Sequence, residues 1–428
     1  MIFCYNLLMR LKKELGLIFL HYLRILSKIQ LVKINLWRRL SGKRKIIVVG
    51  ITGSAGKTST MYATAAALKD DFKVKYSEKA NSESGVPLNI LGLKMKSYSL
   101  ADWLRVAVFS PMMLLVNWRD YDIYIVEMGV DEPTEPKNMS YLLKIIQPQI
   151  GVFIGVGSVH SMQFGSLKAI ADEKAKLIAS LPEDGYAVLN PGDKFVGERK
   201  NLAKAKIIKA KRVKVNFDNY VLPEVYEINF GLAVAVASVL GIRLKKAIAM
   251  IKRNFRLPPG RSSLIKGIKN TLIIDSSYNA SPKAMLAMLD LLQKQSRKLE
   301  QKKIAVLGDM RELGKLAAEK HRQIARRAAA TADEIILVGP LMKKFALPIL
   351  QKLKRPVFWY LTAGQAAKFL KKHLQGGELI LVKGSQNTIF LEIIVETLMI
   401  DKNQAGSLLC RRGRFWEEKR KLYLNWRE

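Results

Sequence analysis

The stretch that decides the fold reads Ile46-Ile-Val-Val-Gly50-Ile-Thr-Gly53-Ser-Ala-Gly56-Lys57-Thr58-Ser59. Residues 46–51 predict a continuous apolar strand, and residues 59–68 predict a helix directly after a glycine-rich turn. Such a turn lets backbone N–H groups face a phosphate, and the helix N-terminus adds positive potential. Lys57 would reach the β- and γ-phosphates of ATP and Thr58 would bind Mg²⁺. The alternative, a chance glycine-rich turn, fits this strand–turn–helix context poorly, although Ile51 stands where the strict P-loop pattern has glycine.

Outward from this stretch, apolar strands alternate with helices, which predicts parallel sheets covered on both faces. We predict an α/β protein with three parts: a helical arm (1–45), a central P-loop ATPase-type parallel sheet domain (46–257) and a C-terminal Rossmann-like α/β domain (258–428). The linker is Pro258-Pro259-Gly260. The other predicted strands are 123–126, 150–156, 271–274, 304–307, 334–338 and 378–382.

Residues 1–40 predict one long amphipathic helix, because apolar residues recur in alternating steps of four and three. Residues 1–45 contain eleven Lys or Arg and one acid, Glu14. A basic amphipathic helix can lie in an anionic membrane interface, and the alternative is that its stripe packs on the protein body or on a second copy of the chain. Residues 103–118 are apolar but include Arg105 and Pro111, which predicts a broken surface helix; the alternative is a second membrane-touching element. The stripe of the arm consists of Leu11, Leu15, Ile18, Tyr22, Ile25, Ile29, Val32 and Leu36.

The composition limits the function classes. Lys and Arg number 72 against 36 Asp and Glu, so the formal net charge is +36, which predicts attraction to nucleotides, nucleic acid or anionic membrane. No nucleic-acid motif is recognisable, so we expect no specific nucleic-acid partner. Two cysteines cannot form a disulfide framework, and no uninterrupted apolar run reaches the ~18 residues of a spanning helix. These features predict a cytoplasmic monomer, peripheral at most at the inner membrane face.

Three polar residues follow the predicted strands of the central domain. Glu127 ends the strand 123–126, His160 follows the next strand, and Lys174 lies on the helix after it. Carboxyl ends of strands in open α/β sheets form ligand sites, so we expect these three side chains to form one metal-bearing site. Taken singly, each has a plainer alternative: a structural histidine or a solvated acid.

Several motifs together resemble the Mur ligase family, in family order across residues 46 to about 400. Two of them are specific to the branch that adds D-alanyl-D-alanine to UDP-muramoyl tripeptide, namely Tyr278-Asn-Ala280 and Leu307-Gly-Asp-Met310-x-Glu312-Leu-Gly314. The other matching stretches are residues 52–58, Glu127-Met-Gly129, His160 with Phe164-Gly-Ser166, Asp275 through Pro282, and Leu381-Val-Lys383-Gly-Ser385.

The resemblance implies an ATP- and Mg²⁺-dependent ligase that activates a carboxylate as an acyl phosphate and joins it to an amine. It also implies that Lys174 is carbamylated. The implied catalytic residues are Lys57, Glu127, His160 and Lys174; the implied metal ligands are Thr58, Glu127, His160 and Lys174. The implied nucleotide-binding residues are Gly53, Ser54, Ala55, Gly56, Lys57, Thr58, Ser59, Asn229, Arg261 and Asp275. The implied substrate-binding residues are Asn81, Asn279, Asp309, Glu312, His321, Lys383 and Ser385.

The sequence departs from the family pattern at three places. A 45-residue basic segment stands where the family has its N-terminal UDP-binding domain. Tyr226-Glu227 replaces a His-Asn pair near the adenine, with Asn229 as a substitute, and Gln386 replaces a basic residue. The leading interpretation is ligation of UDP-muramoyl peptide with D-alanyl-D-alanine. The alternatives are a Mur-type ligase for another carboxylate and an inactive membrane-associated nucleotide-binding scaffold.

Overall fold

The computed structural model describes residues 2–78, 80–95, 99–157, 161–217, 220–299, 301–311, 313–385 and 389–425. The side chains of residues 2–13, 161–162, 296–299 and 422–425 are not described. Residues His160 and Glu312, both predicted to belong to the site, lie outside the described residues.

The chain forms two compact units. The first consists of residues 1–215 and 226–255, and the second of residues 216–225 and 256–428. Residues 216–225 therefore belong to the second unit although they precede the end of the first. The three-part division drawn from the sequence stays a prediction.

The first unit is built on a six-stranded parallel sheet with the order β2-β3-β1-β4-β5-β6. The central strands are buried on both faces, as continuous apolar runs in a parallel sheet require. The strands are β1 (Ile47–Thr52), β2 (Val74–Tyr76), β3 (Ile123–Glu127), β4 (Ile150–Phe153), β5 (Tyr186–Leu189) and β6 (Lys206–Lys209).

Helices cover this sheet and include the N-terminal arm. They are α1 (Ile2–Leu40), α2 (Lys57–Leu68), α3 (Gly85–Leu91), α4 (Leu100–Val116), α5 (Met139–Ile145), α6 (Ser161–Phe164), α7 (Leu167–Ala179), α8 (Lys194–Arg199), α9 (Val225–Val239) and α10 (Leu244–Asn254).

The second unit has a six-stranded sheet with the order β11-β10-β9-β12-β8-β7, in which only β7 is antiparallel. The predicted α/β class with two sheets and a preceding helix is thus confirmed. The strands are β7 (Ser263–Lys266), β8 (Leu272–Asp275), β9 (Lys303–Gly308), β10 (Glu334–Val338), β11 (Val357–Tyr360) and β12 (Leu379–Lys383). The helices are α11 (Pro282–Leu299), α12 (Ala317–Thr331), α13 (Leu347–Lys352), α14 (Ala363–His373), α15 (Glu392–Leu398), α16 (Ala405–Leu408) and α17 (Arg414–Asn425).

The arm forms the single helix α1, but the predicted apolar stripe is not the face that packs. Leu23, Leu26 and Ile34 are buried against the first unit, whereas Ile25 and Val32 of the stripe are exposed. The helix therefore rests on the body through a neighbouring face. Its segment Glu14–Leu40 is also long and apolar enough to cross a membrane by length and composition, and 22% of its most apolar stretch is buried.

Helix α4 runs unbroken through Pro111, contrary to the predicted break. Proline removes the N–H that would bond the carbonyl four residues earlier. That carbonyl belongs to Ala107, and it accepts a hydrogen bond of 2.8 Å from the hydroxyl of Tyr22 in α1 instead. The tertiary contact supplies the donor that the local sequence lacks.

Candidate functional site

The turn between β1 and α2 requires glycine at two positions. Gly53 has φ +156° and Gly56 has φ +84°. A Cβ atom on Gly56 would lie 2.9 Å from Oδ1 of Asn229, and one on Gly53 would lie 2.9 Å from Cβ of Ile154. The loop therefore has no room for a side chain at Gly53 or Gly56.

The N-terminus of α2 opens directly from this loop. Its N-cap residue is Gly56, which offers no side-chain acceptor to the N–H groups of the first turn. Uncapped N–H groups together with the positive end of the helix dipole suit a phosphate group. The predicted loop residues Ser54, Ala55 and Ser59 lie in the same turn and first helical turn.

Lys57 is the first residue of α2, and its Nζ donates a hydrogen bond of 2.8 Å to the carbonyl of Gly53. Burial lowers the pKa of this ammonium, while the charges of Glu127 and Asp131 act in the opposite direction. The lysine is thus held across the loop, beside two carboxylates.

Thr58 and Glu127 lie next to each other at the carboxyl edge of the sheet. Oγ1 of Thr58 donates to Oε2 of Glu127 at 3.2 Å, as β1 and β3 are adjacent parallel strands. The backbone N–H of Glu127 donates to Oγ of Ser77 at 2.9 Å, which fixes the end of β3. The sequence prediction that these two oxygen donors share one edge agrees with this geometry.

Lys174 lies on the buried face of α7 and is only 2% exposed. Burial, and then the charge of Lys57, lower the pKa of Lys174 to about 7, whereas Asp131 and Glu173 act against this. The neighbouring Glu173 is occupied elsewhere, accepting from the backbone N–H of Met139 at 2.7 Å.

Asp131 is a charged group of this region that we did not single out in the sequence. Its charge raises the pKa of both Lys57 and Lys174, so it lies within electrostatic reach of both. It comes four residues after Glu127, in the loop that leaves β3. Position in that loop was the one signal that could have identified it.

Asn229 and Asn81 also reach the loops at this edge. Oδ1 of Asn229, from α9, is buried without a hydrogen-bond partner among the described residues and lies against Gly56. The carbonyl of Asn81 accepts from the N–H of Gly129, just beyond Glu127, at 3.0 Å. The structure therefore places Asn229 against the predicted nucleotide loop and Asn81 against the loop that follows β3.

These residues fit a nucleotide and a divalent cation. The glycine-lined turn, the uncapped helix and the unpaired Asn229 oxygen offer groups for an anion and for an amine-bearing ring. Thr58 and Glu127 offer hard oxygen ligands of the kind that Mg²⁺ prefers. Within the described part of the chain, no group of three or more His, Cys, Asp or Glu side chains is placed to hold a metal ion. Of the predicted metal ligands, Thr58, Glu127 and Lys174 are described.

In the second unit, Asp275 and Lys383 end the adjacent strands β8 and β12. Nζ of Lys383 donates to Oγ of Ser276 at 3.2 Å and to the carbonyl of Asn279 at 2.9 Å. Burial raises the pKa of Asp275 to about 6. Burial, and then the charge of Arg261, lower the pKa of Lys383 to about 7.

Two further predicted residues lie near this pair. The guanidinium carbon of Arg261 lies 4.4 Å from the ring centroid of Tyr278. Asn279 turns its Oδ1 back to the N–H of Ala280 at 2.8 Å. Oδ2 of Asp275 and Nε of Arg261 are buried without partners in the described residues, so both retain capacity for a ligand.

Asp309 and Ser385 follow the ends of β9 and β12, and His321 lies on α12, but the hydrogen bonds that the structure describes for all three are internal. The carboxylate of Asp309 accepts from the N–H of Leu341 at 3.2 Å and of Met342 at 2.8 Å. Oγ of Ser385 accepts from the N–H of Arg311 at 3.0 Å.

Both ring nitrogens of His321 form hydrogen bonds within the protein. Its Nε2 accepts from the N–H of Met310 at 3.0 Å, so the Nδ1 proton faces the carbonyl of Ala317 at 2.7 Å. Burial lowers the pKa of this imidazole, which agrees with a neutral ring. These contacts position the loop after β9, and the predicted substrate contacts of the three residues stay predictions.

Arg411 and Glu392 support the loop after β8 and were not found from the sequence. Arg411 donates to the carbonyls of Ser277 and Tyr278, each at 2.8 Å, and to Oε1 of Glu392 at 2.9 Å. Both partners of the ion pair are buried. No spacing in the sequence links a C-terminal arginine to a loop more than 130 residues earlier.

Two family models match the chain. The Mur ligase middle domain matches residues 51–251, and the Mur ligase glutamate ligase domain matches residues 260–386. Together they span most of the chain and include the loop before α2, Glu127, Lys174, Asp275 and Lys383. The chain belongs to the Mur ligase family, a class of ATP-dependent ligases.

Relatives with one shared name specify the branch of this family. A protein of Rickettsia prowazekii is 26% identical over 395 residues, covering 85% of this chain and 80% of the relative. A protein of Bacillus subtilis is 25% identical over 381 residues, covering 82% and 76%. Both are named UDP-N-acetylmuramoyl-tripeptide--D-alanyl-D-alanine ligase.

Solved structures share the fold. The chain resembles MurF from Acinetobacter baumannii with a TM-score of 0.67 and 22% identity, covering 87% of this chain and 79% of the other. It resembles MurF from Thermotoga maritima, solved in complex with ADP, with a TM-score of 0.67 and 21% identity, covering 94% and 84%.

Proposed function

We propose that this chain joins D-alanyl-D-alanine to UDP-N-acetylmuramoyl tripeptide in an ATP-dependent step of peptidoglycan precursor synthesis. The observation that carries the proposal is the assembly of Lys57, Thr58, Glu127 and Lys174 around one glycine turn at the carboxyl edge of the first sheet. The names of the relatives supply the substrates.

The first unit binds the triphosphate. The α2 N-terminus and Lys57 take the β- and γ-phosphates, and the amide of Asn229 lies within the same loop region. Thr58 and Glu127 would hold Mg²⁺, and His160 and Lys174 are the predicted ligands of a second ion. When bound, the metal neutralises charge on the transferred phosphoryl group.

Lys174 would serve as a carbamate. Its neutral amine attacks carbon dioxide, a nitrogen–carbon bond forms and one proton is released, which leaves a carboxylate at the end of the side chain. A buried amine with a pKa of about 7 is neutral in a large fraction of molecules at physiological pH, which favours this reaction. The product supplies oxygen ligands that an unmodified lysine lacks.

The chemistry needs two steps because a carboxylate is a poor electrophile. The tripeptide carboxylate attacks the γ-phosphorus of ATP, an acyl phosphate forms and ADP leaves. The amine of D-alanyl-D-alanine then attacks the acyl carbon, loses a proton and expels phosphate, which leaves an amide. The ammonium of Lys57, beside the charges of Glu127 and Asp131, would stabilise the negative charge of the transferred group.

The second unit would take the other ligands. Arg261 and Asp275 keep their predicted role towards the ribose and phosphate, supported by the buried unpaired Nε and Oδ2 atoms. The incoming amine component is assigned to the loops that carry Asn279, Lys383 and Ser385. Asp309, His321 and Glu312 belong to the same predicted set, as Asn81 does in the first unit.

Two alternatives are separated by one assay. A Mur-type ligase for another carboxylate, or an inactive nucleotide-binding scaffold, would keep the ATP loop. Phosphate release from ATP is measured with UDP-muramoyl tripeptide, with and without D-alanyl-D-alanine, on the full chain and on a Lys57→Ala control. Release that needs both substrates supports the proposal. The same assay is repeated with other carboxylates in place of the tripeptide. Release with one of these only would favour the Mur-type ligase for another carboxylate, and no release with any of them would favour the scaffold.

We also propose a cytoplasmic location with peripheral contact to an anionic membrane surface through residues 1–45. The support is the excess of eleven basic residues over one acid and the exposed stripe on α1. We expect a monomer without a specific nucleic-acid partner.

A further inference from the structure

Two helices of the first unit carry exposed apolar residues over much of their described length, namely residues 14–40 of α1 and residues 100–116 of α4. On α1 the residues Ile18, Ile25, Ile29, Val32 and Leu36 are between 47% and 67% exposed. On α4 the residues Leu104, Val108, Met112 and Leu115 are between 49% and 76% exposed. Contiguous apolar surface of this kind marks an interaction site on a folded protein.

The two helices are fixed to each other side by side and run in the same direction. Near the start, the rings of Phe19 and Trp103 pack edge to face at 5.1 Å between centroids. Further along, Tyr22 donates to the carbonyl of Ala107 at 2.8 Å. At the end, Nε2 of Gln30 donates to the carbonyl of Asn117 at 2.7 Å.

The apolar residues lie on the solvent side of this pair. On α1 they follow steps of three and four residues, offset from the buried Leu23, Leu26 and Ile34, so they share one outward face. On α4 the exposed residues recur with the same spacing, opposite the buried Val106 and Ser110. We call this surface the α1/α4 face.

The charges beside the α1/α4 face are positive. Lys28 and Arg39 of α1 are exposed, and Nζ of Lys33 lies 4.0 Å above the ring of Trp118 at the end of α4. The only acids in residues 14–40 and 100–116 are Glu14 and Asp102. Asp102 is buried and paired with Arg105 at 2.7 Å, so it does not offset the cations.

We propose that the α1/α4 face docks flat on the interface of an anionic lipid bilayer, with its apolar residues below the headgroups and its cations among them. This inference names the surface and the partner of the peripheral contact proposed above, and it rests on that part of the proposed function. Apolar burial and attraction to anionic lipid act together in such a helix pair.

The charges favour a bilayer over a second copy of the chain. A two-fold dimer through this face would bring the same cations of both copies together, since an isologous interface pairs a patch with itself. An anionic headgroup layer complements them instead. Exposed Trp118 at the edge of the face suits the boundary between headgroups and acyl chains.

The buried side of α1 favours lying on the membrane over crossing it. Arg38 is 2% exposed and donates to the carboxylates of Asp120 and Asp122, and Gln30 is buried against α4. Withdrawing α1 into a bilayer would break these contacts and expose the apolar residues beneath it. Only the outward face is free to enter lipid.

The test is co-sedimentation of the full chain with phosphatidylcholine vesicles, with and without phosphatidylglycerol. Two variants remove apolar groups from one helix each: Ile25→Gln with Ile29→Gln on α1, and Val108→Gln with Met112→Gln on α4. The matched control changes two exposed apolar residues of the second unit, Leu353→Gln with Ile400→Gln. None of these changes alters the charge.

We expect binding only to vesicles with phosphatidylglycerol, weaker at high salt, and a loss of about tenfold or more in each helix variant. The control should bind like the unchanged chain. Equal binding to both vesicle types, loss in the α1 variant alone, or no binding would each overturn the α1/α4 face as the site. Concentration-dependent dimerisation lost in both variants would identify a second copy as the occupant. Phosphate release measured on the same samples reports separately on the ligase proposal.

Discussion

The hydroxyl of Tyr22 donates a hydrogen bond of 2.8 Å to the carbonyl of Ala107, the atom that Pro111 leaves without its helical donor. The bond joins α1 to α4 at the place where the α4 hydrogen-bond ladder is interrupted. Tyr22 is half-buried, and its hydroxyl reaches the backbone of α4. The arm thereby stabilises a helix that its own sequence would break.

We predict that Tyr22→Phe lowers the free energy of unfolding by about 1–2 kcal/mol, because a partly buried carbonyl loses its partner. In a Pro111→Ala background the same substitution should cost less, since residue 111 then donates to Ala107 within the helix. Urea unfolding of the four proteins forms a double-mutant cycle that measures this coupling. Equal costs in both backgrounds would show that the contact does not replace the missing helical donor.

The same pair of helices shows where sequence reasoning reached its limit. The long helix of the arm followed from its period, and the parallel sheets followed from apolar strands such as Ile123–Glu127. Pro111 predicted a break in α4 because it removes a helical donor. The hydroxyl that replaces this donor belongs to Tyr22, 85 residues before Ala107, so the local sequence gives no sign of it. Strands β2, β5, β6, β7 and β11 were not predicted. The partly exposed residues of β2 and β6 form no continuous apolar run, and the other three are only four residues long.

We predict that Lys57→Ala abolishes ligation and leaves the melting temperature nearly unchanged. Its ammonium makes one described hydrogen bond, to the carbonyl of Gly53, so the fold loses little, whereas the transferred phosphoryl group loses its charge partner. Phosphate release and thermal melting are measured together. Lys69→Ala is the matched control because Lys69 is exposed at the other end of the same helix. Unchanged turnover in Lys57→Ala would remove the central assignment.

We predict that Glu392→Ala destabilises the second unit by about 3–5 kcal/mol, because it leaves the buried guanidinium of Arg411 without its carboxylate. Glu392→Leu combined with Arg411→Met should recover much of this loss, since no unpaired charge is then buried. Urea unfolding measures both. A double variant no more stable than the single one would mean that the bonds of Arg411 to Ser277 and Tyr278 matter more than the ion pair.

The pKa of Lys383, about 7 in the folded protein against 10.5 for an ordinary lysine, predicts a pH dependence of stability. Between these values the unfolded chain binds more protons than the folded one, so the contribution of Lys383 to stability rises with pH. Relative to Lys383→Met, the unchanged chain should gain up to about 1.4 kcal/mol per pH unit from pH 7 towards pH 9. A stability difference that is flat over this range, from urea unfolding at each pH, would contradict a neutral buried amine.

Site residues that belong to a local sequence motif were predicted better than residues whose partners are distant in the sequence. Lys57 and Thr58 were predicted from the glycine-rich turn that opens α2, and Glu127 from the end of β3; the structure brings Thr58 and Glu127 together. Asp131 and Arg411 were not predicted, because the groups that each one interacts with come close to it only in the tertiary fold. The internal hydrogen bonds of Asp309 and His321 could not be foreseen either, since a motif gives residue types but not their partners.

The last prediction concerns Lys174, which is 2% exposed on α7 with a pKa lowered to about 7 by burial and by Lys57. Lys174→Ala should retain only a small fraction of the ligation rate, because the carbamate oxygens are lost, and added formate should restore part of it by supplying a carboxylate in the vacated space. Lys176→Ala is the control, since Lys176 is exposed on the same helix and pairs with Glu173 at 2.7 Å. Mass spectrometry of the intact chain under carbon dioxide should detect the added carboxyl group in the control but not in Lys174→Ala. Full activity of Lys174→Ala without formate would show that Lys174 packs the helix and binds no metal.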